Sequence, residues 1–236
     1  MIQLALIVAL AQNPACNEQA LAALGDAAAR VQEFDIPGAI ARLEAAAVVC
    51  DEAGLASWYL AGLVAAREAY RDGGSDESLA PVRKAIAALD AYGANVPGRA
   101  QIARLVLLGA ASAAQSERDE MAIFLDEALR LESIQVAAKQ PGAPVITAHQ
   151  AAGDLWLQVH RFEEARRAYE EASELFGSRP RTMLGLARTA ARLNDPSACI
   201  HYAHLVEWWG SISREPAEIT EARAYIAGSS CQTRGR

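Results

Sequence analysis

Three arginines near the C-terminus have the spacing that best fits a binding chemistry. Arg181, Arg188 and Arg192 stand at positions i, i+7 and i+11, so in a helix they share one face. A guanidinium group donates paired hydrogen bonds in a planar fork that matches a carboxylate. The pattern indicates capture of acidic side chains or of a peptide C-terminus. The alternative is a solvated face whose arginines pair with neighbouring glutamates.

A second spaced set, His201, His204 and Glu207, has the residue types of a metal site. These residues stand at i, i+3 and i+6 along one helical stripe, but no CxxC pair and no HExxH sequence accompanies them. The chain also lacks a Gly-rich phosphate loop, a GxSxG sequence and a dinucleotide fingerprint. We therefore expect no catalytic residue, no metal and no cofactor. A small helical metal-binding or catalytic protein stays the minor alternative.

The composition favours helices packed on helices and disfavours nucleic acid as a partner. The 236 residues are 52% hydrophobic but only 6% aromatic, and alanine supplies much of the apolar fraction. A core of such small side chains needs closely approaching backbones, which packed helices provide. The net charge is −7 and no run of Lys and Arg occurs, so we expect no phosphate-binding face.

Helical periodicity runs through the whole chain, and turn signals rich in Gly, Pro and Asn divide it into antiparallel pairs. No stretch of alternating β-branched residues indicates a strand. A last helix at residues 216–227 is expected to cap the apolar end of the array. The predicted hairpins pair 17–33 with 36–50, 54–71 with 76–92, 98–115 with 118–138, 144–159 with 161–176, and 179–193 with 196–209.

The four cysteines lie at matched ends of these hairpins. Cys16 precedes the first helix and Cys50 ends the second, while Cys199 opens the helix at 196–209 and Cys231 follows the last helix. Antiparallel packing brings the two members of each pair to the same end, which predicts the disulfides Cys16–Cys50 and Cys199–Cys231. Two alternatives stay open, namely four buried thiols or lipidation of Cys16.

The N-terminus carries a candidate targeting segment. Residues 4–11 read LALIVALA and end in a small-x-small pattern that suits cleavage before Gln12. The run is too short to cross a bilayer, so we expect no membrane span. Together with the predicted disulfides, it predicts a periplasmic or secreted protein with a signal peptide at 1–11 and a C-terminal tail at 229–236. The alternatives are a cytoplasmic protein or a lipid anchor at Cys16.

Small and large apolar residues recur with an offset of 34 positions in the last two hairpins. Gly153, Trp156, Ala165, Tyr169 and Ala172 are followed by Ala187, Ala190, Cys199, Ala203 and Val206. In this pattern the chain resembles the tetratricopeptide repeat family, and His149 departs from it because the family has a large apolar residue there. The third hairpin also matches the family pattern, at Leu105, Leu108, Gly109, Ser112, Met121, Leu125 and Ala128.

The resemblance implies an all-α, right-handed superhelix of about five hairpins plus a C-terminal capping helix, in a single domain at 12–228. It also implies a non-catalytic scaffold that binds a protein or peptide in its concave groove, and the N-terminal segment and the cysteine pairs predict that this scaffold lies in the cell envelope. The alternative is a cytosolic adaptor without disulfides. By the family register, the residues expected to line that groove and to bind an acidic or C-terminal peptide are Arg181, Arg188, Arg192, Gln150, Asp154 and Leu157.

Two adjacent tryptophans, Trp208 and Trp209, close the helix at 196–209. We expect both rings to pack in the core beneath the last helix, near Ile219 and Tyr225. An exposed ring at this position would instead indicate an interaction site.

Overall fold

The computed structural model describes residues 16–92, 97–140, 142, 145–210, 215–228 and 231. Across these residues the chain forms eleven α-helices and no strand, so the prediction of an all-α fold is confirmed. The predicted signal peptide at 1–11 lies outside the described residues, as does the predicted tail except for Cys231. None of the described helices is long and apolar enough to cross a membrane.

The helices follow the predicted hairpins, and their ends differ from the predicted ends by at most four residues. In chain order they are α1 (Glu18–Gln32), α2 (Ile36–Ala47), α3 (Asp51–Arg71), α4 (Ala80–Tyr92), α5 (Pro97–Ala114), α6 (Arg118–Ala137), α7 (Ala148–Gln158), α8 (Phe162–Phe176), α9 (Pro180–Arg192), α10 (Ser197–Trp209) and α11 (Ala217–Ala227).

Several helices end in the same tight turn. In each of these turns one residue adopts a positive φ, and the next backbone N–H bonds to the carbonyl five residues back. Asp35 N, for example, lies 2.9 Å from Arg30 O. This is the Schellman geometry, which satisfies carbonyl groups that a helix end leaves unbonded. The non-glycine residues with positive φ in these turns are Phe34, Ser116, Lys139, His160 and Asn194.

The sequence predicts one domain, and the described structure divides into two compact units. The first contains the described residues up to Val31 together with Asp35–Ala151. Within it, α3 packs against α2, α4 and α5, and Tyr59 of α3 is fully buried. A disulfide joins Cys16, before α1, to Cys50, which directly precedes α3, as the sequence predicts.

The second unit contains Gln32–Phe34 and the described residues from Ala152 onward. Within it α8 packs on α9, α9 on α10 and α10 on α11. The second predicted disulfide joins Cys199 of α10 to Cys231, which follows α11. The core of this unit consists of Leu184, Ala187, Tyr202, Leu205, Trp209, Ile219 and Ala222.

Tyr169 of α8 shows why small residues recur in the second unit. Its ring is fully buried between Gly153 of α7 and Gly185 of α9. A Cβ atom on Gly153 would lie 2.6 Å from the ring, and one on Gly185 would lie 2.2 Å from it. The tyrosine hydroxyl donates a hydrogen bond to Asp154 Oδ1 at 2.6 Å, so the ring cannot move aside without losing that bond. Both positions therefore require glycine.

Replacing Gly185 by alanine is expected to lower the free energy of unfolding by about 1–3 kcal/mol, because the new methyl group overpacks the Tyr169 ring. Gly25 of α1 is the matched control, since a Cβ atom there has no neighbour within 4 Å. Alanine at Gly25 is expected to stabilise the protein by up to about 1 kcal/mol through helix propensity. Urea unfolding of both variants measures the difference, and equal effects would contradict the packing explanation.

Candidate functional site

The arginines that the sequence singles out share a face of α9, and two of them already bind carboxylates. Arg181 Nη2 lies 3.2 Å from Asp154 Oδ2, and the other oxygen of that carboxylate accepts the Tyr169 hydroxyl. The structure therefore brings together two predicted groove residues, Arg181 and Asp154, but as partners of each other. Their charges are mutually compensated before any ligand arrives.

Arg188 makes a stronger pair with the last helix. Its Nε donates to Glu221 Oε1 at 2.9 Å and its Nη2 to Glu221 Oε2 at 2.5 Å, while the Tyr202 hydroxyl donates to Oε1 at 2.8 Å. Burial acts to raise the pKa of Glu221, but the hydrogen bonds from Arg188 and Tyr202 outweigh it and hold that pKa below the usual range. The paired hydrogen bonds that Arg188 could donate to a ligand carboxylate are thus already made to a carboxylate of this chain.

The remaining predicted groove residues are dispersed. Arg192 is exposed and forms no ion pair within the described part of the chain. Leu157 is half-buried, whereas Gln150 is only 1% exposed and lies in the first unit. The Gln150 side chain is therefore not accessible to a peptide. The acidic-peptide site stays a prediction that rests mainly on Arg192.

A groove opens on another part of the second unit. It is lined by side chains of α8, α9 and α10, and its volume is about 560 Å³. Volumes of this size are typical of ligand pockets. Met183 and Leu186 of α9 supply aliphatic surface, and the groove includes Trp208 at the end of α10.

Three carboxylates line the groove. Glu170 and Glu174 stand one turn apart on α8, and Glu207 lies on α10. All three are exposed, and none forms an ion pair within the described residues. Like charges at i and i+4 on a helix repel each other, so the interaction between Glu170 and Glu174 does not stabilise α8. The sequence analysis did not identify Glu170 and Glu174 as part of a site. Two glutamates four positions apart, with no Lys or Arg four positions further along the helix, could have indicated unpaired negative charge.

The histidine stripe that the sequence singles out lies in this groove. His201 and His204 line it beside Glu207. Burial lowers the pKa of His201, and repulsion from His204 lowers it further, so His201 is neutral at pH 7. Among the described residues, no group of three His, Cys, Asp or Glu side chains is arranged to hold a metal ion.

The two adjacent tryptophans have different environments. Trp209 packs in the core of the second unit and is 3% exposed, as predicted. The same prediction for Trp208 is wrong, because its ring is 46% exposed at the groove. Residues 208 and 209 point about 100° apart around a helix, so one ring can face the core while the other faces solvent. Exposed tryptophan beside a groove indicates an interaction site.

A buried charge cluster in the first unit escaped sequence reasoning. Arg99 of α5 forms an ion pair with Glu52 of α3, and its Nε donates to Gly142 O at 2.9 Å. Glu132 of α6 is fully buried, and its Oε2 lies 2.8 Å from Nδ1 and 3.1 Å from the backbone N of His149. The polar residue at position 149, where a large apolar one is expected, was the only sequence signal. The cluster is almost entirely buried, and such burial favours a structural role.

No family model matches this sequence, nor does any curated protein or solved structure.

Proposed function

We propose that this chain is a non-catalytic scaffold that binds a peptide or protein on a stack of tetratricopeptide-like hairpins. The observation that carries the proposal is the groove between α8 and α10, where an exposed tryptophan, aliphatic side chains and carboxylates without ion-pair partners face solvent together. Exposed tryptophan and methionine beside aliphatic side chains are typical of protein-binding surfaces, whose rims are polar.

The superhelical arrangement is part of the same proposal. It is supported by the repeated Schellman turns and by the packing of α3 against both the preceding and the following hairpin. Stacked hairpins of this kind present extended surfaces and bury little around a catalytic centre. A binding role suits such an architecture.

We further propose that the scaffold acts in an oxidising compartment, either the periplasm or outside the cell. Each of the two units contains one disulfide, Cys16–Cys50 and Cys199–Cys231. Disulfides persist in such compartments and are rare where glutathione keeps thiols reduced. The apolar run at 4–11 is consistent with export. Mass spectrometry of the native protein without reductant is expected to find no alkylatable thiol, and four such thiols would contradict this assignment.

Selection from a random peptide library tests the scaffold function. The oxidised protein is the bait, and protein that has been reduced, alkylated and unfolded serves for counter-selection. We expect enriched peptides that bind the oxidised protein at a single site in calorimetry, with a Kd on the order of 1 μM, which corresponds to about −8 kcal/mol. Absence of enrichment over the unfolded bait would contradict the proposal.

A further inference from the structure

We infer that the groove between α8 and α10 binds an arginine- and lysine-rich segment of a partner protein. This inference rests on the proposed scaffold function and names the chemistry of its ligand. It concerns a surface distinct from the arginine face of α9, for which the sequence predicts the opposite ligand charge. Three features of the groove carry it, namely its uncompensated negative charge, its neutral histidine and its exposed indole.

The negative charge of the groove is uncompensated by this chain. The first two glutamates of α8 form ion pairs with arginines. Glu163 pairs with Arg166 at 3.5 Å, and Glu164 pairs with Arg161. The next two on the groove side, Glu170 and Glu174, have no such partner within the described residues. Arg166 is not available to them, because its Nη1 lies 3.2 Å from Asp195 Oδ2. The groove thus keeps acceptor groups for an external cation.

His201 does not cancel this charge at neutral pH. Burial lowers the pKa of His201, and the electrostatic effects of His204 and Arg166 lower it further. Asp195 and Glu170 act in the opposite direction. The net result is a pKa below the ordinary value. His201 therefore enters the groove as a neutral imidazole that can accept a hydrogen bond from a guanidinium or ammonium group. Its position beside Glu170 favours a cationic ligand over an anionic one.

Trp208 supplies the third feature. An indole face is the strongest aromatic partner for arginine and lysine cations, and the attraction is largest where water is excluded. The ring is 46% exposed at the groove, beside the aliphatic surface of Met183 and Leu186. The long methylene stems of arginine and lysine can lie on that surface while their charged ends reach the carboxylates. An acidic segment would gain none of these contacts.

Fluorescence anisotropy with defined peptides tests the inference on the full oxidised protein at about 0.15 M salt. The probe is a fluorescein-labelled peptide of alternating arginine and glycine, and the comparison peptide has glutamate in place of arginine. We expect the arginine peptide to bind and the glutamate peptide not to bind. The double variant Glu170→Lys with Glu174→Lys is expected to weaken binding of the arginine peptide about tenfold or more. Trp208→Ala is expected to weaken it roughly three- to tenfold.

The matched control carries the same change in net charge on the first unit. Glu44 and Glu68 are exposed and form no ion pair within the described residues, so Glu44→Lys with Glu68→Lys keeps the groove intact. We expect its affinity for the arginine peptide to stay within about twofold of wild type. An equal loss in this control would overturn the inference, because binding would then follow net charge alone.

A further outcome separates this inference from the proposed function. If the glutamate peptide binds, and Arg188→Glu with Arg192→Glu abolishes that binding, the scaffold function stands and the basic-ligand inference is overturned. If neither these peptides nor any library peptide binds the folded protein, the scaffold function itself fails. Circular dichroism of each variant checks that it is folded.

Discussion

Replacing Arg99 by methionine is expected to lower the free energy of unfolding by about 3–5 kcal/mol, because the change leaves buried carboxylates without their cation. Arg99 is 9% exposed, and its ion-pair partner Glu52 is 4% exposed. Burial lowers the pKa of Arg99 to about 10, partly offset by attraction to Glu132, so the side chain is a cation at pH 7. Urea unfolding at pH 7 measures the loss. Methionine keeps much of the side-chain volume, so the effect reports on charge more than on packing.

Arg104 on the same helix is the matched control. Its Nε lies 2.9 Å from Asp90 Oδ1, and the two side chains are 42% and 58% exposed. Arg104→Met is expected to cost only about 0–1 kcal/mol, because exposed ion pairs contribute little. Adding Glu52→Gln to Arg99→Met should recover part of the lost stability, since it removes one of the buried charges. Similar losses at Arg99 and Arg104 would contradict the assigned role of Arg99.

Removing either disulfide is expected to destabilise its own unit by about 3–4 kcal/mol, because each bond closes a loop of 30 to 40 residues in the unfolded chain. The sequence separations are 34 for Cys16–Cys50 and 32 for Cys199–Cys231. Hydrogen exchange of the Cys199→Ser, Cys231→Ser variant is expected to speed up in α9, α10 and α11. The Cys16→Ser, Cys50→Ser variant is expected to loosen α1, α2 and α3 instead.

Reduction of the wild-type protein provides the comparison. A thiol reductant should lower the unfolding midpoint of wild type and leave unchanged that of a variant in which all four cysteines are serine. The serine variant thus separates disulfide cleavage from any other effect of the reductant. A wild-type midpoint that does not respond to the reductant would contradict a stabilising role for these bonds.

The helices and the cysteine pairs could be predicted because their signals are local. Turn residues mark helix ends within the sequence itself, as Asp35 does by accepting a hydrogen bond from the Gly38 N–H at the start of α2. Once neighbouring helices run antiparallel, the ends that carry Cys199 and Cys231 must meet. Small residues such as Gly153 mark positions where a side chain of a neighbouring helix approaches closely.

The candidate site could not be predicted in the same way, because its properties depend on partners far along the chain. Arg188 stands 33 residues before Glu221, and no helical spacing relates the two. The sequence pattern places Arg188 on a face of α9 but does not show that a carboxylate occupies that face. The exposure of Trp208 likewise depends on how α10 packs on α9 and α11. Local periodicity cannot determine such contacts.

The indole resonances of the protein test the central claim most directly. The chain has four tryptophans, and Trp208→Phe assigns the resonance of the groove residue in ¹⁵N-labelled protein. During titration with the arginine–glycine peptide, the Trp208 indole N–H is expected to shift most, while that of Trp58 in the first unit stays in place. A Trp208 resonance that does not move while the peptide saturates the protein would show that the ligand binds elsewhere and would contradict the account.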